Sequence, residues 1–350
     1  MNKIELRKCG NSDLQLAVLG MGCWAFGGGN YWGEQNQNDV NDIVHAAVDY
    51  GINYFDTAEA YNDGRSESSL GQALKDLPRD KVVIGTKISP SNTEPLVLRE
   101  HLEASLKRLE TDYIDLYMVH WPITPHSIAH FTEKKICPDV REAFSALQNL
   151  RKEGKIRYIG VSNFAVSKME EIKKFLPDIC ANELPYSLLT RAIEFHTIPF
   201  LKKNKIGIIG YMTLLQGLLA DIYPSLDDVP VMQRRTRHFN SKKNKECRHG
   251  EAGAEEETTE ALSAIREVMK KIGMNMPELA INWAVSNPAV STALVGARSV
   301  QELKNNIKAV LNPRLDRQIM AELNNGTDKL LLKLGAGFDF YENSENDRTR

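Results

Sequence analysis

Tyr113-Ile114-Asp115-Leu116-Tyr117-Met118-Val119-His120 is an apolar stretch that ends on a histidine. Seven further runs of this kind complete a set of eight along the chain. They occupy residues 16–20, 53–56, 82–87, 156–163, 179–182, 206–211 and 291–296. Nearly continuous apolar runs are typical of strands that are covered on both faces, as in a parallel sheet.

Between the runs, apolar residues recur with the spacing of amphipathic helices. One stripe comprises Val40, Ile43, Val44, Ala47 and Val48, a second Leu98, Leu102, Leu106 and Leu109, and a third Phe144, Leu147 and Leu150. This alternation predicts an α/β protein folded as a (β/α)8 TIM barrel, with the helices outside. A doubly wound open sheet is the alternative, but the G-x-G-x-x-G turn that usually follows its first strand is absent.

Three segments break the alternation. Residues 3–15, with a turn signal at Gly10-Asn11-Ser12-Asp13, predict a β-hairpin that plugs the bottom of the barrel. Residues 224–257 are a long polar insert, basic first and acidic later, and a loop of that length is either a functional lid or disordered. The barrel domain is predicted to span residues 1–325, and residues 326–350 to form a C-terminal tail that frays at its end.

Composition narrows the class of protein. The net charge of −2 gives no electrostatic reason to expect binding to nucleic acid or to an anionic membrane surface. No apolar stretch reaches the roughly 20 residues that span a bilayer, and charges occupy the N-terminus where a signal peptide is apolar. The five scattered cysteines include no CxxC pair. We therefore expect a cytoplasmic protein with free thiols, as a monomer or a homo-oligomer, which the sequence does not distinguish.

Polar residues close seven of the apolar runs. These residues are Asp56, Lys87, His120, Ser162 with Asn163, Asn182 with Glu183, Tyr211, and Arg298 after Gly296 and Ala297. In a TIM barrel the carboxyl ends of the strands meet at one face, where the active site lies. The sequence therefore predicts that these side chains share one site.

Four sequence motifs indicate which chemistry this site performs. They are Asn53-Tyr54-Phe55-Asp56-Thr57-Ala58-Glu59-Ala60-Tyr61, Ile84-Gly85-Thr86-Lys87, Met118-Val119-His120-Trp121-Pro122 and Gly160-Val161-Ser162-Asn163-Phe164. In kind and order they resemble the signatures of the aldo-keto reductase superfamily, over residues 6–323. The resemblance implies an NADP(H)-dependent oxidoreductase that reduces aldehydes or ketones, or oxidises the corresponding alcohols or sugars. It also implies a catalytic tetrad of Asp56, Tyr61, Lys87 and His120.

The chemistry of these side chains agrees with that assignment. Hydride addition builds negative charge on a carbonyl oxygen, which needs a proton donor such as the Tyr61 hydroxyl. An ammonium about 4 Å away contributes on the order of 4 kcal/mol, or roughly three pK units, so we expect Lys87 to lower the pKa of Tyr61. Asp56 is expected to keep Lys87 charged, and His120 to orient the substrate oxygen. No metal is expected, because the lysine would oppose a divalent ion.

Taken singly, each of these residues also fits a purely structural role. Tyr61 alone can be a packing residue, Asp56 and Lys87 a structural ion pair, and His120 a core histidine. Their grouping at successive strand ends favours the catalytic interpretation.

The resemblance also assigns the cofactor contacts. Ser162 and Asn163 are expected to hydrogen-bond the nicotinamide carboxamide, and Tyr211 to stack on its ring. Glu183 stands where a glutamine is usual, and a carboxylate accepts from an amide but cannot donate to it.

The adenosine and phosphate end of the cofactor site is expected near the last strand, at Gly296, Arg298, Ser299, Glu302 and Asn306. Arg298 can fork onto a 2′-phosphate, which favours NADP over NAD. The residues Gln216, Gly217 and Leu218 resemble the start of the segment that folds over the pyrophosphate, and the basic part of the 224–257 insert is expected to clamp it.

Aromatic residues are expected to wall the substrate pocket: Trp24, Trp32 and Trp121, with Phe26 and Tyr31 nearby in sequence. Such walls suit aromatic aldehydes and sugars alike. Two other functions remain open, namely a nicotinamide-sensing regulatory subunit like the potassium-channel β subunits, and a barrel isomerase of phosphorylated sugars that needs no nicotinamide.

Overall fold

Eight parallel strands close into a barrel in the order β10-β3-β4-β5-β6-β7-β8-β9. The structure, a computed structural model, describes residues 4–133 and 136–350. The barrel strands are β3 (Leu19–Gly22), β4 (Tyr54–Asp56), β5 (Val83–Ile88), β6 (Ile114–Val119), β7 (Ile156–Ser162), β8 (Ala181–Pro185), β9 (Gly207–Tyr211) and β10 (Val290–Val295). The predicted TIM barrel is confirmed.

Helices follow the strands and cover the outside of the barrel. They are α1 (Gln37–Asp49), α2 (Arg65–Leu74), α3 (Pro95–Arg108), α4 (Pro125–Phe131), α5 (Val140–Lys152), α6 (Val166–Lys173), α7 (Thr197–Asn204), α8 (Glu255–Ile272), α9 (Met276–Ser286), α10 (Val300–Leu311) and α11 (Arg317–Leu334). Helices α1, α3 and α5 bury the apolar stripes seen in the sequence, except that Val48 is only half-buried. Within residues 4–133 and 136–350, no helix combines the length and apolarity that crossing a membrane requires.

An antiparallel hairpin of β1 (Leu6–Lys8) and β2 (Gln15–Ala17) closes the amino-terminal end of the barrel. Residue 3, where the hairpin was expected to begin, lies outside the described residues. The apolar run 16–20 is not one barrel strand as predicted. The Val18 amide donates to Glu5 on the hairpin side, whereas the Val18 carbonyl accepts from Ala293 of β10. The chain therefore passes from hairpin to barrel at this residue.

The insert ends earlier than its acidic composition suggested. Glu255, Glu256 and Glu257 form the first turn of α8, where negative charge is favourable against the helix dipole. The rest of the insert contains short 3-10 turns, and ion pairs join its basic part to its acidic part. Arg237 contacts Glu251 at 2.8 Å, and Lys243 contacts Glu255 at 2.6 Å.

The C-terminal tail packs onto the insert instead of fraying. Helix α11 crosses position 325 and continues to Leu334, so the tail begins at Gly335. Arg237 of the insert donates to the carbonyls of Leu334 and Phe340, and Arg248 pairs with Glu342 at 2.6 Å. Phe338, Phe340, Arg348 and Thr349 are all buried. Insert and tail thus form one layer beside the barrel mouth.

Tyr54 of β4 fills the barrel interior and leaves no room for a side chain at Gly85 on the neighbouring strand. A Cβ atom at Gly85 would lie 2.3 Å from the Tyr54 hydroxyl. We expect Gly85→Ala to lower the free energy of unfolding by about 1–3 kcal/mol, since overpacking forces its neighbours to move. Urea denaturation measures the loss. Gly337→Ala, where the nearest atom is 3.7 Å away, is the control, and equal effects of both changes would contradict the prediction.

Candidate active site

A cleft of about 700 Å³ opens at the carboxyl ends of the barrel strands. It collects most of the residues singled out in the sequence. Those that line it are Trp24, Trp32, Asp56, Tyr61, His120, Trp121, Ser162, Asn163, Glu183, Tyr211, Gln216, Gly217, Gly296, Arg298 and Glu302. Lys87, Leu218 and Asn306 are buried behind this lining, and Ser299 is exposed outside it. The volume falls within the range of small-molecule sites.

Lys87 is the buried centre of the floor of the cleft, with no exposed surface. Its ammonium donates to the Asp56 carboxylate at 2.6 Å, to the Thr57 carbonyl at 2.9 Å and to the Tyr61 hydroxyl oxygen at 3.3 Å. These three bonds use all three ammonium hydrogens. The Tyr61 oxygen therefore acts as an acceptor towards Lys87, and its own proton remains available to another group.

A short irregular turn carries Tyr61 from the end of β4 back over Lys87. Asn62, Asp63 and Gly64 all adopt positive φ, at 52°, 55° and 80°. The Asn62 side chain fixes this turn by donating to the carbonyls of Trp24 and Phe26. This turn links Tyr61 to the start of α2, and Tyr61 itself lines the cleft.

The charges around Tyr61 differ in their net effect from the sequence prediction. Burial raises the pKa of Tyr61, Lys87 lowers it, and Asp56 and Glu183 raise it, so the net pKa lies above its ordinary value. The sign of the Lys87 effect is as predicted, but the predicted net lowering is wrong. Burial alone would lower the pKa of Lys87, yet Asp56 and Glu183 together raise it above its ordinary value. The ammonium stays charged and the phenol stays protonated.

His120 follows β6 and lies beside Tyr61. The two ring centroids are 5.6 Å apart at 77°, so one small group can touch both rings. Burial, with Lys87 and Arg348 nearby, holds the pKa of His120 well below its ordinary value. In the described chain its buried Nδ1 has no hydrogen-bond partner. The imidazole is therefore neutral at physiological pH.

Glu183 joins the Asp56 and Lys87 pair as a second buried carboxyl. Its Oε1 lies 3.4 Å from the Lys87 ammonium, and its buried Oε2 has no partner in the part of the chain that the structure describes. Burial, and then the charge of Asp56, raise the pKa of Glu183 well above its ordinary value. The residue lies within β8 rather than at its end, because the strand continues through Pro185. A neutral carboxyl can donate as well as accept.

Ser162, Asn163 and Tyr211 form a hydrogen-bonded set beside Glu183. The Tyr211 hydroxyl donates to the Asn163 side-chain oxygen at 2.7 Å, and the Asn163 amide donates to the Ser162 hydroxyl at 3.0 Å and to the His120 carbonyl at 3.1 Å. Ser162 in turn donates to the Glu183 carbonyl at 3.1 Å. These hydrogen bonds use all the side-chain donors of the three residues. The Ser162 hydroxyl oxygen and the Asn163 amide oxygen each keep a lone pair that can accept a further hydrogen bond.

The other end of the cleft lies between β10 and the loop after β3. Arg298 donates to the carbonyls of Trp32 and Glu34 at 2.7 and 2.6 Å and to the Gln35 side chain at 3.1 Å. Its backbone amide donates to Glu302 at 2.8 Å. The exposed Ser299 caps α10. Behind the cleft surface, Asn306 donates to the Gly296 carbonyl and Leu218 is buried. Arg298 thus lies exposed at the rim with no carboxylate of the described chain on its guanidinium.

Aromatic rings form the walls, as the sequence suggested. The Trp24 and Tyr31 rings stack with their centroids 4.7 Å apart, and Trp32 meets both edge-on. Phe26 is instead a core residue with no exposed surface, so its assignment to the pocket is wrong. Arg235 lines the cleft from the basic part of the insert, which was expected to clamp the cofactor. The sequence did not predict His130, Phe131, Arg248, Tyr341 and Arg348 as further lining residues. They come from α4, the insert and the tail, and no local motif marks them.

Metal-ligand clusters are not part of this site. Within the described ranges no three His, Cys, Asp or Glu side chains are grouped so that they can hold a metal ion. The charges of the floor instead centre on one ammonium and two carboxyls.

Comparison with known proteins adds an independent finding. The model of the aldo/keto reductase family matches residues 18–326. An NADH-specific methylglyoxal reductase of Escherichia coli is 32% identical over 345 residues, covering 92% of this chain and 98% of that protein. An aldo-keto reductase of Bacillus subtilis is 31% identical over 314 residues, covering 86% and 87%. The structure of a glycerol dehydrogenase of Gluconobacter oxydans has a TM-score of 0.72 at 27% identity, covering 93% and 96%.

The raised pKa of Glu183 predicts a stability effect with a definite sign. The folded protein holds this proton to higher pH than the unfolded chain, whose glutamates titrate near 4.3, so rising pH costs stability between the two pKa values. The slope is about 1.4 kcal/mol per pH unit in that window. We expect the free energy of unfolding of Glu183→Gln to exceed that of the wild type by a margin that grows from pH 5 to pH 8. Urea denaturation measures it, with exposed Glu267→Gln as control, and a constant margin would show that Glu183 is ionised throughout.

Proposed function

Because the chain belongs to the aldo/keto reductase family, we propose that it is an NADP(H)-dependent oxidoreductase that interconverts carbonyl compounds and alcohols, with Tyr61 as the proton donor. One observation carries the proposal. A fully buried ammonium donates to the Tyr61 hydroxyl oxygen at 3.3 Å, at the floor of a cleft large enough for a substrate. This arrangement leaves the phenolic proton directed away from Lys87.

The side chains of the cleft fit a nicotinamide carboxamide. Ser162 and Asn163 have used their donors within the protein but retain acceptor lone pairs, which suits an amide NH2 group. The unpartnered Oε2 of Glu183 supplies the missing donor for the amide oxygen when that carboxyl is neutral. Glu183 would then replace the usual glutamine as a group with one donor and one acceptor. The half-buried Tyr211 ring offers a flat apolar face beside them.

The remaining steps are performed by the residues of the floor. When bound, a reduced nicotinamide supplies hydride to the carbonyl carbon. Tyr61 gives its proton to the oxygen, which is becoming an alkoxide and is more basic than any phenolate, so the transfer is favourable even with the pKa of Tyr61 raised. Lys87 stabilises the phenolate that remains, and Asp56 holds Lys87 in place. Neutral His120 orients the oxygen by a hydrogen bond.

The preference for NADP rests on Arg298. It lies at the rim of the cleft, next to the N-terminus of α10, and a guanidinium can bind a phosphate with two parallel bonds. To reach a 2′-phosphate it must exchange bonds to the loop carbonyls of Trp32 and Glu34. Since the Escherichia coli relative is NADH-specific, this preference needs a direct test.

Removal of the Tyr61 hydroxyl tests the proton donor. We expect Tyr61→Phe to lower kcat for aldehyde reduction by about 10²- to 10⁴-fold with NADPH affinity close to normal, because the hydroxyl acts on the substrate oxygen. Steady-state kinetics and fluorescence titration with NADPH measure the two quantities. Tyr50→Phe, which does not line the cleft, is the control. Unchanged turnover in Tyr61→Phe would remove the assignment, and a wild type that binds NADPH but reduces no aldehyde would favour a regulatory nicotinamide sensor.

Truncation of Arg298 tests the cofactor choice. We expect Arg298→Ala to weaken NADPH binding by about tenfold or more while NADH binding changes much less, since only NADPH carries the 2′-phosphate. Calorimetric titration of both cofactors gives the ratio. Lys304→Ala on the exposed face of α10 controls for the loss of one positive charge. Equal losses for the two cofactors would mean that Arg298 only holds the loop after β3.

A further inference from the structure

The tail brings a buried arginine, Arg348, to the cleft. The backbone at Arg348 and Thr349 is attached to the barrel domain, since the Ser127 hydroxyl donates to the Arg348 carbonyl and the Ala165 amide donates to the Thr349 carbonyl. The Arg348 side chain is only 4% exposed and lines the cleft. It is therefore held in place before any ligand binds.

The guanidinium of Arg348 is only partly satisfied within the protein. Its Nε and Nη2 donate to the two oxygens of Asp339 at 2.7 and 2.8 Å, and its Cζ lies 3.9 Å above the ring of Trp121. Among the hydrogen bonds of the described residues, Nη1 makes none. The ion pair with Asp339 is sufficient to fasten the tail to the protein. The N–H groups of Arg348 that remain unused at the cleft therefore point to a ligand that accepts hydrogen bonds.

Two further arginines lie at the same part of the cleft. Arg248 pairs with Glu342 at 2.6 Å and is 41% exposed on its side chain. Arg235 lies over the rings of Tyr31 and Tyr341 and pairs with no carboxylate of the described chain, and its buried Nε has no partner. The three guanidinium groups are therefore balanced by only two paired carboxylates, those of Asp339 and Glu342, which leaves an excess of positive charge.

The lowered pKa of the neighbouring His130 on α4 is consistent with the same excess of positive charge. Burial, and then Arg348 and Arg248, lower the pKa of His130 to about 4, against the weaker opposing effect of Asp339. The histidine is neutral at pH 7 and does not add to the charge. The positive charge on this side of the cleft therefore comes from the arginines.

This positive region adjoins the reacting groups. Trp121, whose ring carries Arg348, directly follows His120 in the chain. A carbonyl oxygen placed between Tyr61 and His120 leaves the rest of the substrate against Trp121 and the arginines. Arg348 lies close enough to His120 to contribute to the lowering of its pKa, so the distal end of a substrate meets positive charge within the same cleft.

We propose that Arg348, with Arg248 and Arg235 beside it, binds an anionic oxyacid group of the substrate, a carboxylate or a phosphate, so that the enzyme prefers carbonyl compounds bearing such a group. This assignment rests on the proposed carbonyl reduction. Arg348 acts as a specificity-determining residue, because its Nη1 is free to bind an oxyanion while Asp339 fixes its orientation.

Two aldehydes of nearly equal size and shape test the proposal: 4-carboxybenzaldehyde, which is anionic, and 4-nitrobenzaldehyde, which is uncharged. We expect the wild type to have the higher kcat/KM for the carboxylate although the nitro group activates the carbonyl more strongly. In Arg348→Gln the kcat/KM for the carboxylate should fall about tenfold more than that for the nitro compound, and in Arg248→Gln about threefold more. Arg99→Gln, an exposed arginine paired with Glu153, should leave the ratio unchanged. A third substrate, 4-formylphenyl phosphate, shows which oxyacid is preferred.

The outcomes separate this proposal from its alternatives. An equal loss for both aldehydes in Arg348→Gln would mean that the residue only fastens the tail, and would overturn the proposal. Since this change removes the cation that pairs with buried Asp339, Arg348→Gln with Asp339→Asn is the second variant, checked by thermal melting. If the wild type reduced neither aldehyde, the proposed function would fail. Calorimetric titration with benzoate and benzamide would then still decide the anion site, because only benzoate binding should weaken in the variants.

Discussion

The buried ammonium of Lys87 is the interaction on which the architecture of the site depends. A charge without exposed surface is tolerated only if every hydrogen finds an acceptor, and leaving such a charge unpaired costs about 3–5 kcal/mol. Asp56, the Thr57 carbonyl and Tyr61 supply the three acceptors. The register of β4 on β5 places Asp56 opposite Gly85, two residues before Lys87. The reactive hydroxyl is thereby positioned by the same bonds that stabilise the lysine.

The floor of the cleft contains a second carboxyl, that of Glu183, beside the ion pair of Asp56 and Lys87. Asp56 and Glu183 compete for one ammonium, and two negative charges beside it would repel each other. Retaining a proton on Glu183 removes that conflict and turns the residue into a hydrogen-bond donor. Burial, and then the charge of Asp56, oppose the effect of Lys87 on the pKa of Tyr61, which explains why the phenol holds its proton more firmly than its contact with an ammonium suggests.

The sequence predicts those features that depend on short stretches of chain. The strands, the helix stripes and the grouping of Asp56, Lys87 and His120 follow from periodicity and from the rule that parallel strands end at one face. The net pKa of Tyr61 could not be predicted, because the burial of the phenol, which raises it most, and the position of the sequence-distant Glu183 both depend on the tertiary structure. Arg348 was missed for a similar reason, since a polar tail carries no periodic signal that shows it folding back onto Trp121. For Arg298, only the tertiary structure reveals its bonds to the loop carbonyls.

The joint layer of insert and tail has a consequence for how such proteins diversify. Arg237 holds both Glu251 and the tail carbonyls, and Arg248 meets Glu342, so each segment satisfies polar groups of the other. A chimaera that receives the insert of a relative without its tail would carry unmatched guanidinium groups and lose the packing of Tyr341 under Arg235. Recombination between relatives is therefore constrained to exchange the two segments together, although some 80 residues of barrel and helix separate them in the chain.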